Sequence, residues 1–301
     1  MNSPQTVYKR GKLLISGEYA VLDGALALAL PTIVGQRFEF SPMEQPIIFW
    51  EAIDHKGQTW FNHRFDLEQL TPNLKGDKTA RILGDLFATI KQINPKAFTH
   101  GWSIKANLEF DRNWGLGSSS TLVSALADFF SVDAFALLAG SFGGSGYDIA
   151  CADAKGPILY RKTSSGPEVQ HITFNPSFSE ELFLVYLNQK MNSREAIKQY
   201  TGLPKSPQLI GQISTLTKDL VAADRLESFE KVLSAHEQII GKHLQVQPIS
   251  ETLFQGLTGM FSSLGAWGGD FALFSRKENI PSLKEKGYST IFRLAELCVL
   301  S

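Results

Sequence analysis

Two cysteines in 301 residues, Cys151 and Cys298, are too few for a disulfide framework and too far apart for a metal-binding pair. Each lies in an apolar run, so buried free thiols in a reducing compartment are expected. Neither charge sign is in excess: 29 lysines and arginines against 30 acids leave a net charge of −1. No long-range field would gather nucleic acid or an acidic membrane, and an anionic ligand must be held by a local site. Long apolar runs are missing as well. The longest, Ala25 to Val34, is broken by Pro31 and too short to span a bilayer. The first residues, Met-Asn-Ser-Pro-Gln-Thr, lack a secretory apolar core. These features predict a cytoplasmic protein with no nucleic-acid or membrane partner. There is no internal repeat or low-complexity tract. A hydrophobic content of 43% is enough for one large folded domain or two ordinary ones.

Several stretches read as strands: Gln36 to Ser41, Pro46 to Asp54, Thr59 to Phe65 and Ser103 to Phe110. The last alternates cleanly, with Ile104, Ala106, Leu108 and Phe110 on one side. Asp77 to Ile93 carries helical spacing at Ala80, Leu83, Leu86, Phe87 and Ile90. Farther on, Pro157 to Lys162 and Leu182 to Leu187 read as strands. Helical patterns cover Pro207 to Ala223, Arg225 to Leu244 and Glu251 to Leu264. A strand at Phe271 to Ser275, a helix near Ile280 to Lys286 and a strand near Ser289 to Leu294 close the chain. Strands dominate the first half and alternate with helices in the second, which predicts an α+β protein of two domains. The polar, punctuated Ser164 to Pro167 suggests a division into residues 1–165 and 166–301.

Trp114 to Phe130 is the most informative segment. A Gly-Leu-Gly-Ser-Ser-Ser run, Gly115 to Ser120, follows a strand and opens an apolar helix pattern. Gly115 and Gly117 let the backbone approach an anion, and the unpaired amides of the first helical turn point at it. Ser118, Ser119, Ser120 and Thr121 add hydroxyls for capping, for phosphate oxygens or for a metal ion. It is not a Walker A loop, because no Gly-Lys-Ser/Thr follows. The bland alternative is a capped helix after a tight turn.

Three other pieces point to anion chemistry. Gly11 to Gly24 is an apolar strand flanked by Lys12 and Glu18. Lys12 is suited to stabilising a transferring phosphoryl group or orienting an acid, or is simply a solvated lysine. Gly143 to Asp148 brings Asp148 after a glycine cluster, where a carboxylate can accept a proton from an alcohol or can merely close a turn. Gly265 to Asp270 is a second glycine-rich loop, or a helix end running into a turn.

Taken together, these segments resemble the GHMP kinases, the superfamily of galactokinase, homoserine kinase, mevalonate kinase and phosphomevalonate kinase. Gly11 to Gly24 is similar to the N-terminal motif of the mevalonate kinases, Gly115 to Ser120 to the phosphate loop, and Gly265 to Asp270 to the glycine-rich third motif. Gly146 to Ala150, Gly-Tyr-Asp-Ile-Ala, resembles a bacterial subgroup known by that run, the GYDIA family. The resemblance implies an N-terminal domain like the second domain of ribosomal protein S5 and a ferredoxin-like C-terminal domain. It implies ATP and Mg²⁺ as cofactors and an alcohol or phosphate acceptor as substrate. Whether the chain forms a homodimer is left open by the sequence. By the same resemblance, Lys12 and Asp148 are catalytic, and Gly115, Leu116, Gly117, Ser118, Ser119 and Ser120 hold the nucleotide. Ser119 reaches the metal. Glu18, Ser193, Arg194, Gly268 and Gly269 lie near the substrate.

The chain also departs from the family. Arg112-Asn113-Trp114 replaces a segment with proline and glycine, and Trp114 is suited to packing on adenine or to covering the loop. Trp267 replaces a glycine. The glutamate that mevalonate kinases carry before the catalytic acid is missing, since Asp133 is the one acid between Phe130 and Gly146. Magnesium would then rest on Ser119, the phosphates and water. Mevalonate is the expected acceptor and phosphomevalonate the alternative, which would need cations drawn from Lys9, Arg10, Lys190 and Arg194. A non-catalytic, ligand-binding regulator of the same fold is the alternative of another class.

Overall fold

The structure, a computed structural model, describes residues 3–71, 77–190, 193–265 and 267–301, and leaves the side chains of Ser193 and Arg194 undescribed. The chain forms two compact units that interleave along the sequence. The first takes Met1–Gly11, Val34–Arg112 and Gly117–Asp153; the second takes Lys12–Ile33, Asn113–Leu116 and Ala154–Ser301. Strands β1 (Gln5–Ser16) and β2 (Ala27–Met43) each contribute to both.

The first unit continues with β3 (Ile47–Ile53), β4 (Thr59–Asp66), α1 (Lys78–Ile93), β5 (Gly101–Leu108), α2 (Ser118–Phe129), α3 (Ala134–Ala139) and α4 (Tyr147–Asp153). β3 runs antiparallel to β4 and parallel to β5, and residues Gln36 to Met43 of β2 pair antiparallel with β5. The predicted alternation holds: Ile48, Trp50 and Ala52 point into the core while their neighbours are partly exposed. α1 starts where Asp77 caps the amides of Thr79 and Ala80, as an acceptor at that position should. Its Leu83, Leu86, Phe87 and Ile90 join Phe38, Phe40, Ile104, Val123 and Leu126 in one core, where truncating Phe87 to alanine would cost about 3–5 kcal/mol. The far end of α2 is anchored by aromatic packing. Phe129 stacks on Phe40 at 3.7 Å between ring centroids and meets Trp102 edge-on.

The second unit holds the hairpin of β6 (Ile158–Thr163) and β7 (Gly166–His171), with Ser164 and Ser165 as its turn. β6 pairs with Ala27 to Ala29 of β2. Then come β8 (Leu182–Tyr186), α5 (Ser193–Thr201), α6 (Pro207–Ala222), α7 (Leu226–Leu244), β9 (Phe261–Leu264), β10 (Phe271–Ser275), α8 (Ile280–Glu285), β11 (Ile291–Arg293) and α9 (Leu294–Leu297). The antiparallel sheet has the order β11-β8-β10-β9. Phe183, Val185, Phe261, Ala272, Phe274 and Leu283 make its core. A second cluster joins Tyr19, Ala20, Tyr200, Leu209, Ile213 and Ile240.

The helix expected over Glu251 to Leu264 does not form. That stretch is a series of turns, with Gly256 and Gly259 at φ +84° and +81°, followed by β9. Positive φ at two glycines interrupts any helix, and β9 is buried at all four positions, so no alternation betrays it. The remaining architecture is α+β, as expected.

Candidate active site

In the first unit, α2 begins at Ser118 with Gly117 as its N-cap at φ +90°, ψ +37°, and no side chain caps it. It shares that with α7 and α8, whereas α1, α3 and α6 are capped by the side chains of Asp77, Asp133 and Ser206. The amides that head α2 have no side-chain acceptor, and the positive end of the helix dipole lies behind them. The serines divide by role. Ser120 is buried and its hydroxyl donates to the Gly117 carbonyl at 2.7 Å. Thr121 donates to Gln36 Oε1 at 2.7 Å. Ser119 is exposed and Ser118 is half-buried. Of the three serines expected to bind nucleotide, Ser120 therefore spends its hydroxyl on the loop itself, and Ser119 is the most accessible.

Asp148 lies in the first turn of α4, half-buried, after Gly143, Gly144 and Gly146, all at positive φ. Its Oδ1 accepts the Ile149 amide at 3.1 Å. At the other ends of α2 and α4, Lys9 joins Asp128 (2.9 Å) and Asp153 (2.5 Å). Burial alone would lower the pKa of Lys9, but the hydrogen bonds it donates to the Asp153 and Asp128 carboxylates raise it on balance. Lys9, expected as a candidate cation for an acceptor phosphate, is instead 6% exposed and held by two aspartates.

In the second unit, Lys12 is held against the first half of the glycine-serine loop. Its amide donates to the Leu116 carbonyl at 2.9 Å and its Nζ to the Gly115 carbonyl at 3.0 Å. Leu116 is fully buried. Gly115 sits at φ +66°, and a Cβ there would lie 2.1 Å from Asp270 Oδ2. The carboxylate of Asp270, itself 7% exposed, thus rests against the loop. Trp114 meets Phe271 and Phe292 edge-on at 5.8 and 5.3 Å, and Tyr186 Oη donates to the Asn113 carbonyl at 3.2 Å. Trp114 is therefore packed on one face of the β11-β8-β10 sheet.

The third motif is tied to the first. The Trp267 amide donates to Tyr19 Oη at 2.9 Å, and the Gly268 amide to Ser263 Oγ at 3.0 Å. Tyr19 stacks on Tyr200 at 5.5 Å, and Trp267 packs against the same cluster. Gly269 is buried and Gly268 half-buried. Ser193 opens α5, but the side chains of Ser193 and Arg194 lie outside the described residues.

Glu18 is 3% exposed and faces His236 of α7, with Oε2 and Nε2 3.3 Å apart. The Gly17 amide already donates to Nε2 at 2.9 Å, so no proton lies between that nitrogen and Glu18 in the neutral ring. Neither Glu18 oxygen nor His236 Nδ1 has a hydrogen-bond partner among the described residues. Burial pushes Glu18 up to about 8 against the opposing backbone dipoles of Glu18 and Gly265, with the nearby Glu237 charge adding to the rise, and burial pushes His236 down to about 4. Burial also lifts Glu237 to about 7, against hydrogen bonds from the Ser263 and Ile249 amides and the Ser262 hydroxyl. Sequence reasoning missed His236. Its signal is its place at the apolar spacing of Phe229, Leu233, His236 and Ile240.

No family model matches the chain, and no curated protein matches it. Solved structures do. The fold is that of the GHMP kinases, matched along nearly the whole chain. Methanococcus jannaschii mevalonate kinase is 15% identical with a TM-score of 0.69, covering 100% of this chain and 99% of its own. Streptococcus pneumoniae phosphomevalonate kinase, solved with phosphomevalonate and AMPPNP, is 18% identical with a TM-score of 0.71, covering 96% and 99%. Lactococcus lactis galactokinase, solved with galactose, is 14% identical with a TM-score of 0.69, covering 100% and 94%.

Proposed function

We propose that the protein is an ATP-dependent kinase that transfers the γ-phosphoryl group to an alcohol acceptor, with mevalonate as that acceptor. The observation that carries the reading is the uncapped N-terminus of α2 behind Gly117, an anion site preceded by a loop that Lys12 touches through both its amide and its Nζ. A mevalonate kinase and a phosphomevalonate kinase bound to AMPPNP share the fold.

In this reading the amides of Gly117, Ser118, Ser119 and Ser120 bind the phosphates, and Lys12 offsets charge on the group in transfer. Asp148 accepts the acceptor's hydroxyl proton as the alcohol oxygen bonds to the γ-phosphorus and the bond to the β–γ bridging oxygen breaks. Glu18, Ser193, Arg194, Gly268 and Gly269 are assigned to the substrate side. The donor set suits a largely hydrated magnesium ion. Among the described residues no group of three His, Cys, Asp or Glu could hold a metal, but Ser119 offers an exposed hydroxyl beside the phosphate amides. Magnesium held there would neutralise phosphate charge. Mevalonate is favoured over phosphomevalonate because Lys9 is committed to Asp128 and Asp153, which removes one cation from an acceptor-phosphate site.

The reading places the protein in the cytoplasm. Among the described residues no helix is long and apolar enough to cross a membrane. The test is ADP release by purified protein with ATP, Mg²⁺ and, separately, mevalonate, phosphomevalonate, homoserine and galactose. Mevalonate-dependent release is expected. Release with phosphomevalonate instead moves the acceptor assignment, and release with none of the four supports a ligand-binding regulator.

A further inference from the structure

We propose that Lys9 is a positioning residue for phosphoryl transfer, one that fixes the spacing between α2 and α4 from the ends opposite the chemistry. The inference rests on the kinase reading above. α2 carries Ser119 in its first turn and Asp128 in its last, and α4 carries Asp148 in its first turn and Asp153 as its final residue. Lys9 reaches from β1 to both terminal carboxylates, and the second oxygen of Asp153 accepts the Ser124 hydroxyl of α2 at 3.0 Å. The two helices are thus joined through one ammonium and one hydroxyl.

The placement of the acids argues that they serve this junction. A carboxylate in the last turn of a helix faces the negative end of the dipole and does nothing for its own helix. Here two such carboxylates converge, and they would repel each other without the cation between them. Lys9 itself is 6% exposed, so its charge is desolvated and depends on these partners. Asp128 and Asp153 have side chains 60% and 51% exposed, so the pairing by itself adds little stability. Its leverage is geometric. Nine residues separate Ser119 from Asp128, about 13.5 Å along the helix. A tilt of about 4° at the clamped end therefore moves Ser119 by about 1 Å, a displacement that can cost about 100-fold in rate.

The experiment compares the full-length wild type with Lys9→Met and with the milder Asp128→Asn, which changes a largely exposed side chain. Steady-state kinetics use the acceptor found in the panel, and amide hydrogen exchange is measured on the same proteins. Lys9→Met is expected to lower kcat about 30- to 100-fold with the ATP KM changed by less than about threefold, and Asp128→Asn to lower kcat about 3- to 10-fold. Exchange should quicken at Ser118 to Thr121 and at Tyr147 to Cys151 and stay unchanged in β8 and β10. A Lys9→Met kcat within twofold of wild type overturns the proposal, as does exchange that rises uniformly through the first unit. Should Lys9→Met fail to fold, Asp128→Asn decides by the same two readouts. Should the wild type release no ADP with any acceptor, the kinase reading falls, and local exchange at the two helix starts still decides whether Lys9 couples them.

Discussion

Replacing Gly115 with alanine tests how tightly the phosphate loop is fitted to the third motif. The residue sits at φ +66°, and the new Cβ would lie 2.1 Å from Asp270 Oδ2 and 2.2 Å from its Cγ. Asp270 has little room to retreat, because its amide donates to the Gln189 carbonyl and its carbonyl accepts the Leu187 amide, both at 2.8 Å. Left-handed backbone costs about 1–2 kcal/mol for a residue with a Cβ, and forcing atoms into a filled site costs about 1–3 kcal/mol. A midpoint near 3.5 kcal/mol corresponds to a fall of about 7–14 °C in the Tm of a unit of this size. Calorimetry on the single variants and on Gly115→Ala combined with Asp270→Ala separates the two terms. Removing the acid relieves the collision but leaves the backbone strain, so the pair should show about 1–3 kcal/mol of coupling. Costs that add within about 0.5 kcal/mol would refute the packing argument.

Three further outcomes are expected. Asp148→Asn should keep ATP binding, read by equilibrium titration, while losing most turnover; turnover equal to wild type removes Asp148 from the chemistry. Glu18 has an ordinary pKa of 4.5 and a folded value of about 8, so the folded chain keeps a proton that the unfolded chain gives up. Its contribution is full below pH 4.5 and is lost as pH rises through 8. His236 runs the other way, its contribution present above pH 6.5 and lost as pH falls through about 4. Glu18→Gln should therefore flatten the decline in Tm between pH 5 and 8, and an unchanged slope would exclude Glu18 as its source. Cys151 and Cys298 are buried, and burial pushes the Cys298 thiol up, so neither should react with a thiol reagent until the protein is denatured. Rapid labelling of the native protein would contradict that.

Much of the fold was legible because its elements are amphipathic. α1, α6 and α7 show their apolar stripes, and β3 and β5 alternate. Elements buried on both sides were harder. The N-terminal part of β2 has six consecutive buried residues, Ala27 to Thr32, with Pro31 among them, and its run of apolar residues has no period. The candidate site divides the same way. The glycine-serine loop announces itself because backbone chemistry needs glycine there. The long-range partners do not. Nothing near Lys9 in sequence points to Asp128 or Asp153, more than a hundred residues away, and nothing near Glu18 points to His236. Such pairings are set by topology.

The interleaving of the two units has a consequence for how the protein is made. The Pro31 carbonyl accepts the Val299 amide at 2.9 Å, and Thr32 bridges to Cys298. This part of β2 is synthesised roughly 270 residues before these partners. At about 5–20 residues per second the wait is roughly 13–54 s. Ala27 to Ala29, wholly buried in the finished protein, gain their β6 partner only when Ile158 to Tyr160 have been made, and Pro31 and Thr32 wait longer still. A nascent chain of this design is a natural client for holding chaperones, and its yield should depend on translation speed as much as on final stability.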